Sequence, residues 1–173
     1  TDVLPSVLLS KGKAQDADNS SFRIGSVVTI NSTPYKAIAV IASGAYSQVF
    51  RCADRSGAEW ALKRTCCQTA CSRQTAEREL EILRSLPRAD GLMQFRDSMT
   101  RPLDSGGVEV FFLLDLCRGG ALIDKLSRLR DGLRAAEIYK CLADCSEALA
   151  ALHAARLVHW DLKLENILLS DEG

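Results

Sequence analysis

The stretch His159-Trp160-Asp161-Leu162-Lys163-Leu164-Glu165-Asn166 puts a carboxylate, a cation and a carboxamide within one short segment, Lys163 two residues and Asn166 five residues after Asp161. A carboxylate can orient and deprotonate a hydroxyl, a cation can neutralise charge on a group in transit, and an amide oxygen can hold a hard divalent metal. Taken alone, the same residues also fit an ordinary surface turn. A second pair is harder to assign to chance. Lys63 closes the strand-like segment Ala61-Leu62-Lys63, sixteen residues before Glu79. Of Glu77, Glu79 and Glu81, only Glu79 lies three residues after Ala76 and four before Leu83, on the apolar stripe of a helix. An inward carboxylate is costly without a counter-charge. A Lys63–Glu79 ion pair is therefore expected, with Glu77 and Glu81 facing solvent.

These residues need elements to hold them. Strand-like segments occupy 27–30, 35–41, 48–53, 60–64 and 109–116, separated by Gly, Ser, Pro and Asp. A helix is predicted over 72–86, its buried face Ala76, Leu80 and Leu83, with Pro87 as the stop. After Gly119-Gly120 the period becomes helical, with Leu122, Leu126, Leu129 and Leu133 on one face. A further helix carries the stripe Ile138, Leu142, Cys145, Leu149 and Leu152 and ends near His153. Strands with one helix, followed by helices, predict an α+β fold of two lobes. The division expected is a flexible polar leader over 1–21, a first lobe with its connecting segment over 22–117, and the start of a second lobe over 118–173.

In 173 residues, 22 basic side chains balance 22 acidic ones, and no block of Lys and Arg stands out. Nucleic acid and polybasic membrane binding have no compositional support. The apolar runs fall short of the ~20 residues that cross a bilayer, which predicts a soluble protein. No secretory signal is read at the start, and the chain does not begin with Met, so an upstream segment stays open. Seven cysteines, an odd number, fit reduced thiols in a cytosolic setting. Cys66, Cys67 and Cys71 lack the paired spacing of a zinc site.

The segment 159–166 resembles the catalytic loop H-R-D-L-x-x-x-N of protein kinases at every fixed position except the Arg. The resemblance implies phosphoryl transfer with ATP and Mg²⁺, Asp161 as base, Lys163 as the cation near the transferring group and Asn166 as a metal ligand. Asp-Leu-Lys-x-Glu-Asn is the serine/threonine form of the loop. Ala61-Leu62-Lys63 is similar to the V-A-I-K segment, whose Lys meets the α and β phosphates and pairs with a helical Glu, here Glu79. Ala42-Ser43-Gly44-Ala45-Tyr46-Ser47-Gln48-Val49 falls where kinases carry G-x-G-x-x-G-x-V, with the central Gly44 the one glycine retained. A plain hairpin turn is the other reading of one glycine between strands. The loop pattern, Ala-Leu-Lys-Arg, Arg-Glu-Leu-Glu-Ile-Leu and Leu-Leu-Asp-Leu-Cys-Arg-Gly-Gly together resemble the Numb-associated kinase family, which includes the adaptor-associated and cyclin-G-associated kinases. That likeness implies an adenine slot of Ala42, Val49, Ala61, Leu114 as gatekeeper and Leu168 as floor, with backbone groups of Asp115 and Cys117 bonding the base and Gly44 and Ser47 in the phosphate loop. It also implies clathrin-adaptor subunits as protein substrates and a cytoplasmic location, peripheral to vesicle membranes.

Two departures matter. Trp160 stands where many kinases have the Arg that pairs with a phosphorylated activation loop, which Trp cannot do. One reading is a kinase that dispenses with such phosphorylation; the other is a weakened enzyme. No D-F-G occurs in these residues, so this piece alone is expected to be inactive and to expose the Leu122 and Ile138 stripes. The competing functional class is a non-catalytic scaffold of kinase fold, against which the joint presence of Lys63, Glu79, Asp161 and Asn166 argues.

Overall fold

β-branched, aromatic and aliphatic side chains between turn residues carry much of the chain from Val27 to Leu114 into strands, interrupted by one helix. The computed structural model describes residues 2–3, 22–44, 46–104 and 106–170. In chain order the elements are β1 (Asp2–Val3), β2 (Val27–Ile30), β3 (Thr33–Ser43), β4 (Ser47–Ala53), β5 (Glu59–Cys67), α1 (Ala70–Ser85), β6 (Phe95–Pro102), β7 (Val108–Leu114), β8 (Gly120–Ala121), α2 (Leu122–Arg128), α3 (Ala135–Ala154), β9 (Leu157–Val158), a 3-10 turn (Leu164–Asn166) and β10 (Leu168–Leu169). They divide into two units, one holding residues 22–81 and 95–116, the other 2–3, 82–94 and 117–170.

The first unit is a six-stranded antiparallel sheet of order β2-β3-β4-β5-β7-β6. Its register sorts the side chains. Phe50 pairs with Leu62 and Leu62 with Leu113, which puts all three on one face, where with Phe22, Val28, Ile30 and Phe111 they form the core. Each such buried side chain contributes about 1.5–3 kcal/mol. Val49 pairs with Lys63 and Lys63 with Phe112, so these lie on the opposite face. On the core face, past Phe111, the apolar surface gives way to charge. Glu109, fully buried, accepts from Arg64 Nε at 2.6 Å and from Arg101 Nε at 2.6 Å, and Arg64 Nη2 also contacts it. The Arg101 guanidinium lies over the rings of Phe22 and Phe111.

The helix expected over 72–86 starts at Ala70 because Thr69 caps it: its hydroxyl accepts from the Ser72 N–H at 3.1 Å, and Ser72 Oγ accepts from the Thr69 N–H at 3.1 Å. Ala76, Glu79, Ile82 and Leu83 are buried, Leu80 only partly, and Glu77 and Glu81 are exposed as their helical phase requires. Strand β6 was not anticipated in the sequence. Its residues Phe-Arg-Asp-Ser-Met-Thr-Arg-Pro are mostly polar and end in Pro, as suits an edge strand with one row of backbone groups unpaired.

In the second unit, Ile82, Leu152 and Leu157 form the buried centre, with Leu86, Leu92 and Leu149 packed against it. The helix drawn through Leu129 and Leu133 stops at Arg128. Leu129 is extended, and Gly132, at φ 73°, turns the chain before α3. On α3 the Glu137 carboxylate accepts from the Arg134 N–H at 3.0 Å and from Lys125 Nζ at 3.2 Å, holding the helix start. Of its expected buried stripe, Ile138 and Leu142 are exposed; Leu152 is buried, as is Ala148 beside the stripe, while Leu122 on α2 is buried rather than exposed. Within the expected leader, Asp2 and Val3 pair in parallel with Leu157 and Val158; the rest of 1–21 lies outside the described residues.

Gly119 marks a close approach. Its N–H donates to the Leu169 carbonyl at 3.0 Å, and a Cβ there would meet the Ser170 carbonyl oxygen at 2.6 Å and Leu169 Cβ at 2.7 Å. Replacing Gly119 by Ala must push β10 away from β8. We expect a loss of about 1–3 kcal/mol in urea unfolding, and an unchanged midpoint would show that the backbone relaxes freely.

Candidate functional site

The site residues fall in two groups, one per unit. In the first, the sheet register places Ala42, Ser47, Val49, Ala61, Lys63 and Leu114 on one face: Ala42 pairs with Val49, Val49 with Lys63, Ser47 with Thr65 and Ala61 with Leu114. Val49, Ala61 and Leu114 are buried there. Lys63 Nζ meets Glu79 Oε1 at 2.5 Å, both side chains more than nine-tenths buried, as their spacing predicts. The Phe112 ring, not anticipated in the sequence, lies 5.9 Å from Lys63 Nζ and supports the cation from β7. Only the cross-strand register brings it there. Gly44 opens the loop between β3 and β4, its N–H donating to the Ser47 carbonyl at 2.7 Å. Tyr46 stands exposed at the tip, and Ala45 lies outside the described residues. Register shifts in β3 between Ala37 and Ala39 and between Val40 and Ala42 re-aim the strand as it enters the loop. Asp115 follows the end of β7.

In the second unit, Asp161, Lys163 and Asn166 come together. Asp161 Oδ2 accepts from Lys163 Nζ at 2.8 Å and from Asn166 Nδ2 at 2.9 Å, and Asn166 Nδ2 also donates to the Asp161 backbone carbonyl at 2.8 Å. With its amide nitrogen so committed, Asn166 presents Oδ1, buried and without a partner among the described residues. An orphaned amide oxygen beside a carboxylate fits a hard divalent cation such as Mg²⁺. The hydrogen bond from Lys163, with help from Asn166, holds the Asp161 carboxyl below the ordinary carboxylate range. A group lowered in this way works above its pKa and is lost only as pH falls through it, so Asp161 is ionised at neutral pH. If Asp161 acts in catalysis, a kcat profile from about pH 5 to 8 should show no limb from this carboxylate, since ordinary Asp titrates near 3.9. Lys163→Met should move its ionisation upward; a limb inside that window insensitive to the substitution would assign it elsewhere.

Trp160 is set apart from its neighbours by its backbone. Its φ is 55°, and the Asp161 N–H donates to the His159 carbonyl at 2.7 Å, closing a three-residue turn. The indole is exposed while Asp161 is turned back toward Asn166. Burial pushes the His159 imidazole below its usual pKa, which keeps it neutral, and its Nδ1 is buried without a partner among the described residues. Leu168 and Leu169 pair with Ala121 and Gly120, and the Leu122 N–H donates to the Ile167 carbonyl at 2.8 Å. That places Leu168 half-buried beside β8, while Cys117 accepts from the Gly120 N–H through its carbonyl at 3.4 Å.

Residues 35–173 match the protein kinase domain model, which covers most of the chain. The chain belongs to the protein kinase domain family. The kinase domain is also similar to curated relatives: it is 29% identical over 161 residues to actin-regulating kinase 1 of Saccharomyces cerevisiae, covering 87% of this chain and 25% of that protein. It is 29% identical over 164 residues to the actin-regulating kinase PRK1 of the same yeast, covering 89% and 20%. It is 33% identical over 133 residues to the serine/threonine-protein kinase ppk30 of Schizosaccharomyces pombe, covering 75% and 14%. The chain thus spans a quarter or less of the length of these relatives.

All seven cysteines of the kinase domain are free. Burial pushes the Cys52 thiol up to about 12 and raises the Cys66 and Cys67 thiols above their ordinary range, which disfavours the thiolate at each. Among the described residues no His, Cys, Asp or Glu cluster of three could hold a metal, and no helix is long and apolar enough to cross a membrane.

Proposed function

We propose that this kinase domain transfers the γ-phosphoryl group of ATP to serine and threonine hydroxyls of protein substrates. The observation that carries the reading is the Asp161–Lys163–Asn166 cluster, with an ionised carboxylate beside a cation and an unpartnered amide oxygen. Asp161 orients the acceptor hydroxyl and takes its proton; its carboxylate receives Lys163 and Asn166 on Oδ2. Lys163 offsets charge on the group in transit. Lys63, fixed by Glu79, binds the nucleotide phosphates, and Asn166 Oδ1 would hold Mg²⁺, whose charge would offset that of the phosphate oxygens. Asp161 and Lys63 are the residues whose removal should lower transfer most.

The finer assignment follows from the same resemblance. The 42–49 loop pattern, Ala-Leu-Lys-Arg, Arg-Glu-Leu-Glu-Ile-Leu and Leu-Leu-Asp-Leu-Cys-Arg-Gly-Gly together support membership of the Numb-associated kinase family, and by analogy with that family clathrin-adaptor subunits as substrates and a cytoplasmic site of action at vesicle membranes. A scaffold role without catalysis draws its support from Trp160, whose indole cannot serve as a phosphate-binding cation. The discriminating experiment incubates the full-length protein with γ-labelled ATP and Mg²⁺, using a generic basic protein and a purified adaptor subunit as acceptors. Phosphoserine or phosphothreonine on either acceptor supports kinase activity, and preference for the adaptor supports the subfamily. ATP binding with no transfer to any protein would favour the scaffold.

A further inference from the structure

Strand β6 carries a bulge that the kinase chemistry described so far does not use. Phe95 pairs with Leu114 and Asp97 with Leu113, so Arg96 is the extra residue between two successive rungs of the ladder. Bulges re-aim side chains, often beside functional sites. Here the guanidinium is aimed at Asp115, one residue beyond the end of β7: Nε donates to Oδ1 at 2.5 Å and Nη2 to Oδ2 at 2.9 Å, a two-point fork. The same guanidinium lies 5.7 Å from the Trp60 ring, and the Trp60 indole N–H donates to Asp54 Oδ2 at 3.2 Å. Asp54 is itself locked in its turn, accepting from the Ser56 N–H at 2.8 Å and the Ser56 hydroxyl at 2.6 Å. The β4–β5 turn is thereby tied through Trp60 and Arg96 to the first residue after Leu114.

We propose that Arg96 is a positioning residue for nucleotide recognition, holding Asp115 so that its backbone carbonyl meets the exocyclic amine of adenine. The inference rests on the proposed ATP-dependent function and deepens it. A bidentate Arg–carboxylate pair fixes direction as well as distance, and the aromatic face beneath the guanidinium removes a degree of freedom that an exposed pair would otherwise keep. Neither Arg96 nor the Asp115 carboxylate needs to touch the nucleotide.

The test compares two nucleotides in the full-length protein. ATP carries the exocyclic amine and inosine triphosphate carries a carbonyl in its place, so only ATP can use the Asp115 carbonyl. Equilibrium binding of each with Mg²⁺ should show that Arg96→Ala weakens ATP by about 3- to 10-fold, the worth of one hydrogen bond, with inosine triphosphate nearly unchanged. The reversed pair Arg96→Asp with Asp115→Arg should recover most of the discrimination. Equal weakening of both nucleotides with a lowered melting temperature would reduce Arg96 to a structural role and overturn the proposal, as would an unchanged ATP affinity. A wild-type protein that binds no ATP would instead remove the functional reading on which the proposal rests, and the proposal with it.

Discussion

Asp161→Asn in the full-length protein is expected to lower kcat by about 10²- to 10⁴-fold, the contribution of a positioned general base, while nucleotide affinity stays nearly constant. The substitution is close to isosteric. An Asn oxygen can still accept from Lys163 Nζ and Asn166 Nδ2, which lie 2.8 and 2.9 Å from Asp161 Oδ2. The loop therefore keeps its shape, and what is lost is the negative charge that takes the acceptor proton. The nucleotide contacts proposed for Lys63 should be untouched, because its partner is Glu79. A KM for ATP that rises in step with the fall in kcat would indicate a collapsed loop. Activity equal to wild type would remove Asp161 as base.

The largest stability effect is expected at Glu109. This carboxylate is fully buried and is shared by Arg64, itself buried, and by Arg101. Glu109→Ala leaves a buried guanidinium without its counter-charge, and breaking a pair of this kind costs about 3–5 kcal/mol. Thermal and urea unfolding of the variant should report that loss. Replacing Arg64, Arg101 and Glu109 together by Leu, Leu and Met is a different experiment, because it removes the desolvation cost along with the attraction. The triple variant should be near neutral or more stable by about 1–4 kcal/mol. If the single substitution costs less than about 1 kcal/mol, the value of an exposed pair, water reaches the network and the burial is not that of a closed core.

Local spacing carries some of these features and not others. The Lys63–Glu79 pair is legible because each partner sits on a regular element whose period fixes its direction: a strand for Lys63, a helix for Glu79. The Asp161–Asn166 cluster is legible because it is contiguous, and its hydrogen bonds span five residues or fewer. Glu109 and Arg64 are forty-five residues apart and meet only through the β5–β7 register. Read locally, Glu109 is a charge interrupting an apolar strand, and nothing in its neighbourhood names a partner.

The sequence by itself determined the strand-then-helix order, the Lys63–Glu79 pairing and the grouping of Asp161, Lys163 and Asn166, because those depend on residue type and short-range spacing. The tertiary structure decided the rest. Edge strand β6 exists because β7 offers it a ladder, not because Phe-Arg-Asp-Ser-Met-Thr-Arg-Pro prefers extension. The bulge that aims Arg96 at Asp115, the Phe112 ring beside Lys63, and the end of α2 before Leu129 each follow from long-range pairing or from a backbone turn. The Arg96 bulge and the Phe112 contact depend on which residues are brought together across the sheet, and a one-residue slip in register would reverse both faces.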